Sequence, residues 1–218
     1  MITIWTYDWL PGGKNSPTGF VRDLRLRWAC EEAGLAYQVK STPFEDRGPE
    51  HFASQPFGQI PFLEDDDGIT LFESGACLLH LAKNSEILMP RDLAGEAETL
   101  QWTIAALNSI EMVSVPWSFL GGFRNPDNGL SGWLASRLGH LETVLRGREW
   151  MAADRFTVAD LLMADVMRQT LRSGLPGYPI IRAYSERICA RPAFQKAYAG
   201  QLAHFAAGDL ARAAKSQA

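Results

Sequence analysis

The stretch GQIPFLEDDDGITLFES, from Gly58 to Ser74, decides the fold prediction for this chain. Two short apolar runs, Ile60–Leu63 and Ile69–Phe72, flank an acidic turn that ends in Gly68. Two β-rich runs joined by a turn with glycine predict a β-hairpin. Ser74 is a favoured N-cap residue, and the apolar run after it predicts a helix. The stretch therefore predicts strand, tight turn, strand and helix.

The two ends of this hairpin carry groups that suit a particular kind of ligand. Pro61 stands at the head of the first strand, where a residue without an N–H is tolerated. If the bond before it is cis, the backbone of Ile60 turns away from the sheet and can pair with an extended peptide. The helix start at Ser74 offers N–H groups, a hydroxyl and a positive dipole end to an anion, while Glu73 suits an ammonium group. The expected ligand is peptide-like in its middle and zwitterionic at one end, as glutathione is.

The run QPFGQIPFLEDDDGITLFESGAC, Gln55–Cys77, resembles the glutathione-site signature of cytosolic glutathione transferases, especially the plant phi class and its bacterial relatives. The likeness is ungapped apart from one extra acidic residue in the turn. Two weaker likenesses follow later, in the capping-box run FTVAD at Phe156–Asp160 and in RPAF at Arg191–Phe194. The resemblance spans nearly the whole chain and implies glutathione as the cosubstrate.

Composition and charge narrow the class of protein. The 218 residues are 46% hydrophobic and 21% charged with a formal net charge of −4, so neither nucleic acid nor a membrane is an expected partner. The N-terminal run MITIWTYDWL has no basic region before a long apolar core, so no secretory signal is expected. Three widely spaced cysteines, Cys30, Cys77 and Cys189, indicate a reducing, cytoplasmic compartment. The four histidines have no metal-ligand spacing, so no metal is expected.

The order of the predicted elements gives the fold class of the first half. Ile2–Tyr7 and Ala36–Ser41 are predicted strands, and the helix between them is expected to begin at a serine–proline pair, with Ser16 as N-cap. A short helical turn within Asp46–Gln55, the hairpin and a helix at Ser74–Lys83 complete the order βαβ-ββα. This order is typical of a thioredoxin-like α/β domain.

Every element predicted after residue 83 is helical. The expected helices are Ala94–Val113, Ser131–Leu145, Val158–Arg172, Ile180–Ala190 and Ala193–Ala206. We therefore expect an N-terminal thioredoxin-like domain at residues 1–83, a linker at 84–93 and an all-α C-terminal helical domain at 94–218.

Glutathione chemistry requires a group that stabilises the thiolate. A thiol pKa of ~8.5 must fall by ~2 units, which needs about 2.7 kcal/mol, and a hydroxyl donor near a helix start can supply this. The resemblance implies a Tyr, Ser or Cys just after the first strand. Ser16 is the first candidate, Tyr7 the second and Thr18 the third, and a simple N-cap is the alternative role for Ser16. The usual serine position, counted back from Gly34, falls on Phe20, so the chain departs from the family here.

The resemblance also implies glutathione contacts. Ile60, preceding Pro61, is expected to pair with the cysteinyl backbone, while Glu73 and Ser74 hold the γ-glutamyl end. Gln59 matches a glutathione-contacting glutamine of phi-type members.

The resemblance gives a less direct expectation for the residue that binds the glycyl carboxylate of glutathione. Phi-type members place a His-Lys pair ahead of the motif, and Asp46 and Arg47 occupy those positions here. Arg47 can serve as the cation and Asp46 cannot. A solvated loop charge is the alternative role for Arg47.

An apolar cleft between the domains is the expected electrophile site. Its candidate walls are Trp9, Leu10, Met112, Trp117, Phe119 and Phe123. Ordinary helix core is the alternative role for each of these side chains.

Three functions are compatible with these features. The first is conjugation of glutathione to small hydrophobic electrophiles in detoxification, with glutathione peroxidase activity as an added expectation. The second is a glutathione-dependent disulfide or dehalogenating reductase, and the third is a non-catalytic glutathione- or ligand-binding module. The resemblance also implies a homodimer, to which apolar residues of Ala94–Val113 would contribute.

Overall fold

The predicted hairpin forms one edge of a four-stranded sheet. The computed structural model describes residues 1–12, 16–122, 124, 127–172 and 175–215. The strands are β1 (Ile2–Tyr7), β2 (Tyr37–Thr42), β3 (Phe62–Glu64) and β4 (Thr70–Phe72), in the spatial order β2-β1-β3-β4. β1 runs parallel to β2 and antiparallel to β3, and β3 runs antiparallel to β4.

Along the chain, strands and helices occur in the predicted order. Their bounds are α1 (Asp23–Ala33), α2 (Pro49–Ser54), α3 (Ser74–Lys83), α4 (Leu93–Ala105), α5 (Met112–Trp117), α6 (Ser131–Leu145), α7 (Val158–Leu171), α8 (Pro179–Cys189) and α9 (Pro192–Lys215). The backbone is π-helical at Ala106–Glu111, between α4 and α5, and at Ser118–Gly122 after α5. The predicted fold class, a βαβ-ββα domain followed by helices, is confirmed.

The start of α1 differs from the prediction at Ser16. The helix begins at Asp23, and residues before it form a turn in which Phe20 N–H donates to the Pro17 carbonyl at 2.8 Å. Gly19 has φ 84°, and a Cβ there would lie 2.8 Å from the Tyr198 ring. A left-handed residue pressed against an aromatic ring cannot continue a right-handed helix, so the helix starts only after it.

The burial of α1 also differs from expectation. The helical pattern of α1 predicts solvent-facing arginines, yet Arg25 is 0% and Arg27 3% exposed. The helix is covered by β1 and by α9. Arg27 Nε donates to the Asp23 carboxylate at 2.7 Å, so its buried charge has a partner.

The chain divides into two compact units. Unit 1 contains Met1–Leu81 together with the chain from Pro192 onward, and unit 2 contains Ala82–Arg191. This grouping differs from the predicted division because α9 belongs with the sheet. The reason is a buried stripe on α9, in which Phe194, at 4.8 Å from the Trp28 ring, is followed at helical spacing by further buried residues.

Unit 2 contains the predicted capping box at the start of α7. The backbone N–H of Thr157 donates to the Asp160 carboxylate at 3.0 Å, and the reciprocal bond to Thr157 is also present. The same carboxylate accepts bonds from the Met151 N–H and the Tyr184 hydroxyl, each at 2.8 Å.

Among the described residues, no helix is both long and apolar enough to cross a bilayer.

Candidate functional site

The end of the hairpin brings two predicted binding segments together. Phe62 pairs with Phe72 in the β3–β4 ladder, so the residues just before β3 and just after β4 lie side by side. The peptide bond between Ile60 and Pro61 is cis. Ile60 is half-buried and lies before the first paired residue of β3, so its backbone is outside the ladder.

A buried glutamine orders the loop that leads into this end. Gln55 is 2% exposed, and its Oε1 accepts the backbone N–H of Phe57 at 2.8 Å and that of Gln59 at 3.1 Å. Gln59 itself is exposed. Sequence reasoning missed Gln55, whose one signal was its place at the start of the quoted motif.

A buried arginine contacts the predicted anion site at the start of α3. Ser74 is 7% exposed, and Arg25 Nη1 donates to its Oγ at 3.1 Å. The Arg25 guanidinium adds positive charge to that of the helix N-terminus, which favours an anion at this position. Arg25 was missed because an arginine within an amphipathic helix pattern predicts a solvent-facing side chain.

Glu73 occupies a backbone conformation that is rare outside glycine. Its φ is 69°, and its carbonyl accepts the Cys77 N–H at 2.9 Å. Helical bonding therefore starts one residue before the predicted cap, with Glu73 at the cap and Ser74 in the first turn. Positive φ at a non-glycine residue costs free energy, and such residues concentrate at functional sites.

Two of the three candidate hydroxyls lie together. Ser16 Oγ and Thr18 Oγ1 are 2.8 Å apart, and both residues are half-buried. The alternative role of Ser16 as the α1 cap is wrong, because Arg22 stands at that position. Either hydroxyl can be the donor, so one proton of the pair is free for another acceptor.

The third candidate hydroxyl is paired with a cation. Arg47 Nη1 donates to Tyr7 Oη at 2.8 Å, and the guanidinium lies 5.3 Å from the Tyr7 ring centroid and 6.0 Å from that of Phe44. Arg47 is half-buried, whereas the adjacent Asp46 is exposed. Arg47 is therefore held by aromatic neighbours and not only by solvent.

The candidate electrophile residues of unit 1 are partly enclosed. Leu10 is 6% exposed. The Trp9 ring lies 5.7 Å from Phe44, and the Arg212 guanidinium lies 3.7 Å from the Trp9 ring centroid.

The candidates of unit 2 divide by exposure. Trp117 is 1% exposed and its indole N–H donates to Ser131 Oγ at 3.2 Å, which places it in the core of this unit. Met112 is 50% and Phe119 86% exposed. Phe123 lies outside the described residues.

The three cysteines are free thiols. Cys30 and Cys77 are buried and Cys189 is half-buried. Burial raises the pKa of each thiol to about 12. Each thiol is therefore protonated near neutral pH and is a poor nucleophile.

Comparisons with known proteins agree with this geometry. The family model for the glutathione S-transferase N-terminal domain matches residues 18–83, and the model for the C-terminal domain matches 131–192. Glutathione S-transferase 1 of Zea mays is 32% identical over 192 residues, covering 79% of this chain and 88% of its own. Glutathione S-transferase GstA of Escherichia coli O157:H7 is 29% identical over 167 residues, covering 72% and 80%.

A solved structure gives the same result. A glutathione transferase family member from Pseudomonas fluorescens pf-5, solved with two glutathione bound, superposes with a TM-score of 0.75 at 25% identity, covering 90% of this chain and 92% of that one. The fold, the two family models and the curated relatives agree: this chain belongs to the glutathione S-transferase family, which confirms the family and the transferase class predicted from its sequence.

Proposed function

We propose that this protein binds glutathione at the end of the β3–β4 hairpin and activates its thiol for attack on small hydrophobic electrophiles. One observation carries the proposal: Ser74, backed by the buried Arg25, lies beside the Ile60–Pro61 segment. An anion site next to a backbone segment that lies outside the β3–β4 ladder matches a zwitterionic peptide. The curated relatives named glutathione S-transferase, and a solved relative with glutathione bound, support the choice of peptide.

The tripeptide is assigned residue by residue. Its γ-glutamyl carboxylate would accept bonds from Ser74 and the α3 N-terminus, and its ammonium group would face the Glu73 carboxylate. The backbone of Ile60 would pair with the cysteinyl residue, and the Gln59 side chain would contact the same peptide. Arg47 would hold the glycyl carboxylate, since its position beside Tyr7 leaves further guanidinium donors for a ligand.

The Ser16–Thr18 pair is the proposed thiol activator. If the Thr18 hydroxyl donates to Ser16 Oγ, the Ser16 proton is free to bond the sulfur, and the first bond strengthens the second. A hydroxyl donor stabilises a thiolate and therefore lowers the thiol pKa. The thiolate would attack the electrophile, and the same anion would reduce hydroperoxides. The walls of the electrophile site stay a sequence prediction, except for Trp117, which lies in the core of unit 2.

Ultraviolet titration of the thiolate in the glutathione complex tests activation. We expect the bound thiol pKa to lie about 2 units below its free value. In Ser16→Ala, most of that shift should be lost and the pKa should lie close to the free value. Tyr7→Phe is the matched comparison, because it removes the other candidate hydroxyl, which accepts from Arg47 Nη1. Loss of the shift in Tyr7→Phe and not in Ser16→Ala would assign activation to Tyr7. A bound thiol with its free pKa in the wild type would leave only the non-catalytic binding module. Turnover of cumene hydroperoxide tests the peroxidase activity.

The reductase alternative receives no support from the cysteines. Exchange through a mixed disulfide with the protein needs a thiolate, and the pKa of each cysteine is raised.

A cytoplasmic location is proposed with the conjugating function, since free thiols and reduced glutathione share a reducing compartment.

A homodimer is proposed from the surface of unit 2. Leu93, Leu100, Ile104 and Met112 of α4 and α5 are large apolar side chains exposed by 86%, 37%, 45% and 50%. A cavity of about 250 Å³ opens between α4 and α6, lined by apolar side chains such as Trp102 and Leu141 and by polar ones such as Arg137 and His140. Apolar surface of this kind marks protein interfaces. Sedimentation equilibrium should give twice the 24.2 kDa chain mass, and Ile104→Glu should shift it toward the monomer.

A further inference from the structure

The C-terminal helix α9 touches the β1–α1 connection, which carries Ser16 and Thr18, at both of its ends. All the elements concerned belong to unit 1. The contacts come from successive turns of one helix face, Tyr198, Gln201, His204 and Gly208. One rigid helix therefore spans the start and the finish of this connection.

At the start of the connection, α9 binds the backbone. His204 Nε2 donates to the Tyr7 carbonyl at 2.9 Å. One turn later, Gly208 lies so close to the Asp8 carbonyl that a Cβ would collide with it. This close approach explains a glycine within a long helix, where glycine otherwise destabilises.

At the end of the connection, α9 binds the entry to α1. Gln201 is 0% exposed, and its Nε2 donates to the Val21 carbonyl at 2.9 Å and to the Asp23 carboxylate. Asp23 is also 0% exposed. Tyr198 packs on Gly19, the left-handed residue that delays the helix.

The chemistry of these contacts indicates a positioning role. Packing alone between α1 and α9 would be served by apolar side chains, because a buried amide or carboxylate costs free energy unless it is hydrogen-bonded. Hydrogen bonds to backbone carbonyls fix the path of the chain, as apolar contacts do not. We propose that α9 is a clamp whose residues Gln201 and His204 fix the two ends of the β1–α1 connection and so position the Ser16 and Thr18 hydroxyls.

The catalytic consequence rests on the proposed function. A hydroxyl–sulfur hydrogen bond weakens steeply with misalignment, so a loosened connection would lose thiolate stabilisation. Two proposed anchors of the tripeptide, Ile60 and Ser74, lie outside the clamp. The third, Arg47, donates to the Tyr7 hydroxyl, whereas His204 bonds the Tyr7 backbone carbonyl. Loss of the clamp should therefore lower kcat and leave the KM for glutathione nearly unchanged.

The experiment compares four variants with the wild type. His204→Phe keeps an aromatic ring and removes the N–H, while His204→Gln retains a donor. Gln201→Leu removes the second anchor, and Leu202→Ala, at a position 37% exposed on the same helix, is the matched control. The measurements are hydrogen exchange of the backbone amides of residues 16–23 in the free protein, the pKa of bound glutathione thiol, and kcat and KM.

We expect His204→Phe and Gln201→Leu to speed exchange in residues 16–23 by about tenfold without changing exchange in α6. The bound thiol pKa should rise by about one unit, and kcat should fall about tenfold, with KM changed less than about twofold. His204→Gln should recover most of each effect, and Leu202→Ala should show none of them.

Unchanged exchange in a folded His204→Phe protein would overturn the clamp, and so would equal effects of His204→Phe and His204→Gln. If Gln201→Leu does not fold, the two His204 variants decide. Hydrogen exchange is measured without glutathione, so it tests the clamp independently of glutathione binding. A wild type that fails to bind glutathione would contradict the proposed function, and the exchange rates would still test the clamp.

Discussion

Arg25 and Ser74 are 49 positions apart in sequence, and the guanidinium Nη1 of the first donates to the hydroxyl of the second at 3.1 Å. Both side chains are buried. The bond orients the Ser74 hydroxyl and places a positive charge behind the N-terminus of α3. The most specific part of the family motif therefore depends on a residue outside it.

Arg25→Met should weaken glutathione binding by about tenfold or more, since a hydrogen bond to a charged group contributes about 1.5–3 kcal/mol. Calorimetric titration of Arg25→Met, Ser74→Ala and the double variant measures the coupling between the two residues. We expect a coupling of about 1 kcal/mol, and strictly additive losses would contradict the relationship. Urea unfolding of each variant controls for loss of the fold.

Ser16→Ala should lower kcat by about a hundredfold, because a preorganised donor to a developing anion contributes at this level. Thr18→Val should lower it by about tenfold, because Thr18 acts through Ser16, and Thr18→Ser should restore it. Steady-state kinetics at saturating glutathione gives both values. A larger loss in Thr18→Val than in Ser16→Ala would reverse the roles of the two hydroxyls.

Arg47→Met should raise the Kd for glutathione about tenfold through loss of the glycyl carboxylate contact. γ-Glutamylcysteine, which lacks that glycine, provides the control ligand, and its Kd should be equal for variant and wild type. Tyr7→Phe removes the hydroxyl that accepts from Arg47 and should have a smaller effect. An equal loss for both ligands would show that Arg47 supports the fold of the site and does not bind the glycyl end.

The acidic turn gives a pH-dependent prediction. The Ile69 N–H bond to Asp65, helped by the side chain of His80, holds the pKa of the Asp65 carboxyl below its ordinary value of 3.8. A depressed carboxyl pKa stabilises the fold above the unfolded value and loses that contribution as pH falls through the folded value. The free energy of unfolding of wild type should therefore exceed that of Asp65→Asn at pH 6, and the difference should shrink below about pH 4.

Urea unfolding at pH 6 and pH 3 measures this difference. Asp67→Asn in the same turn is the control, because its bond to Asp65 is made by the backbone N–H that the variant retains. A difference between wild type and Asp65→Asn that stays constant across this range would contradict the assignment.

Asp160→Ala should destabilise the protein by about 3 kcal/mol, since it removes the α7 capping box and leaves buried donors of Met151 and Tyr184 unpaired. The melting temperature should fall by about 6–12 °C. Differential scanning calorimetry checks this, with Asp127→Ala at an exposed position expected to stay within about 0.5 kcal/mol. A fall of less than about 2 °C would contradict the role of the box.

The success of prediction depended on how local each feature is. The hairpin at Gly58–Ser74 and the box at Phe156–Asp160 are formed by residues a few positions apart, so their patterns predict them directly. The start of α1 was misplaced because Ser16 and Pro17 have the composition of a helix start, while the packing of Tyr198 on Gly19 prevents one. The helix pattern around Arg25 predicts a solvent-facing side chain, because it carries no sign that α9 covers a second face of α1.

The sequence by itself determined the order of strands and helices, the hairpin and the family, because these depend on periodicity, turn chemistry and a contiguous motif. Only the tertiary structure decided which distant groups meet: Arg25 with Ser74, Gln201 with Asp23 across 178 positions, and His204 with Tyr7 across 197. Neighbours along the chain interact wherever the backbone conformation is fixed. A polar group on one helix, by contrast, finds its partner only when burial brings two distant segments together and makes an unpaired group costly.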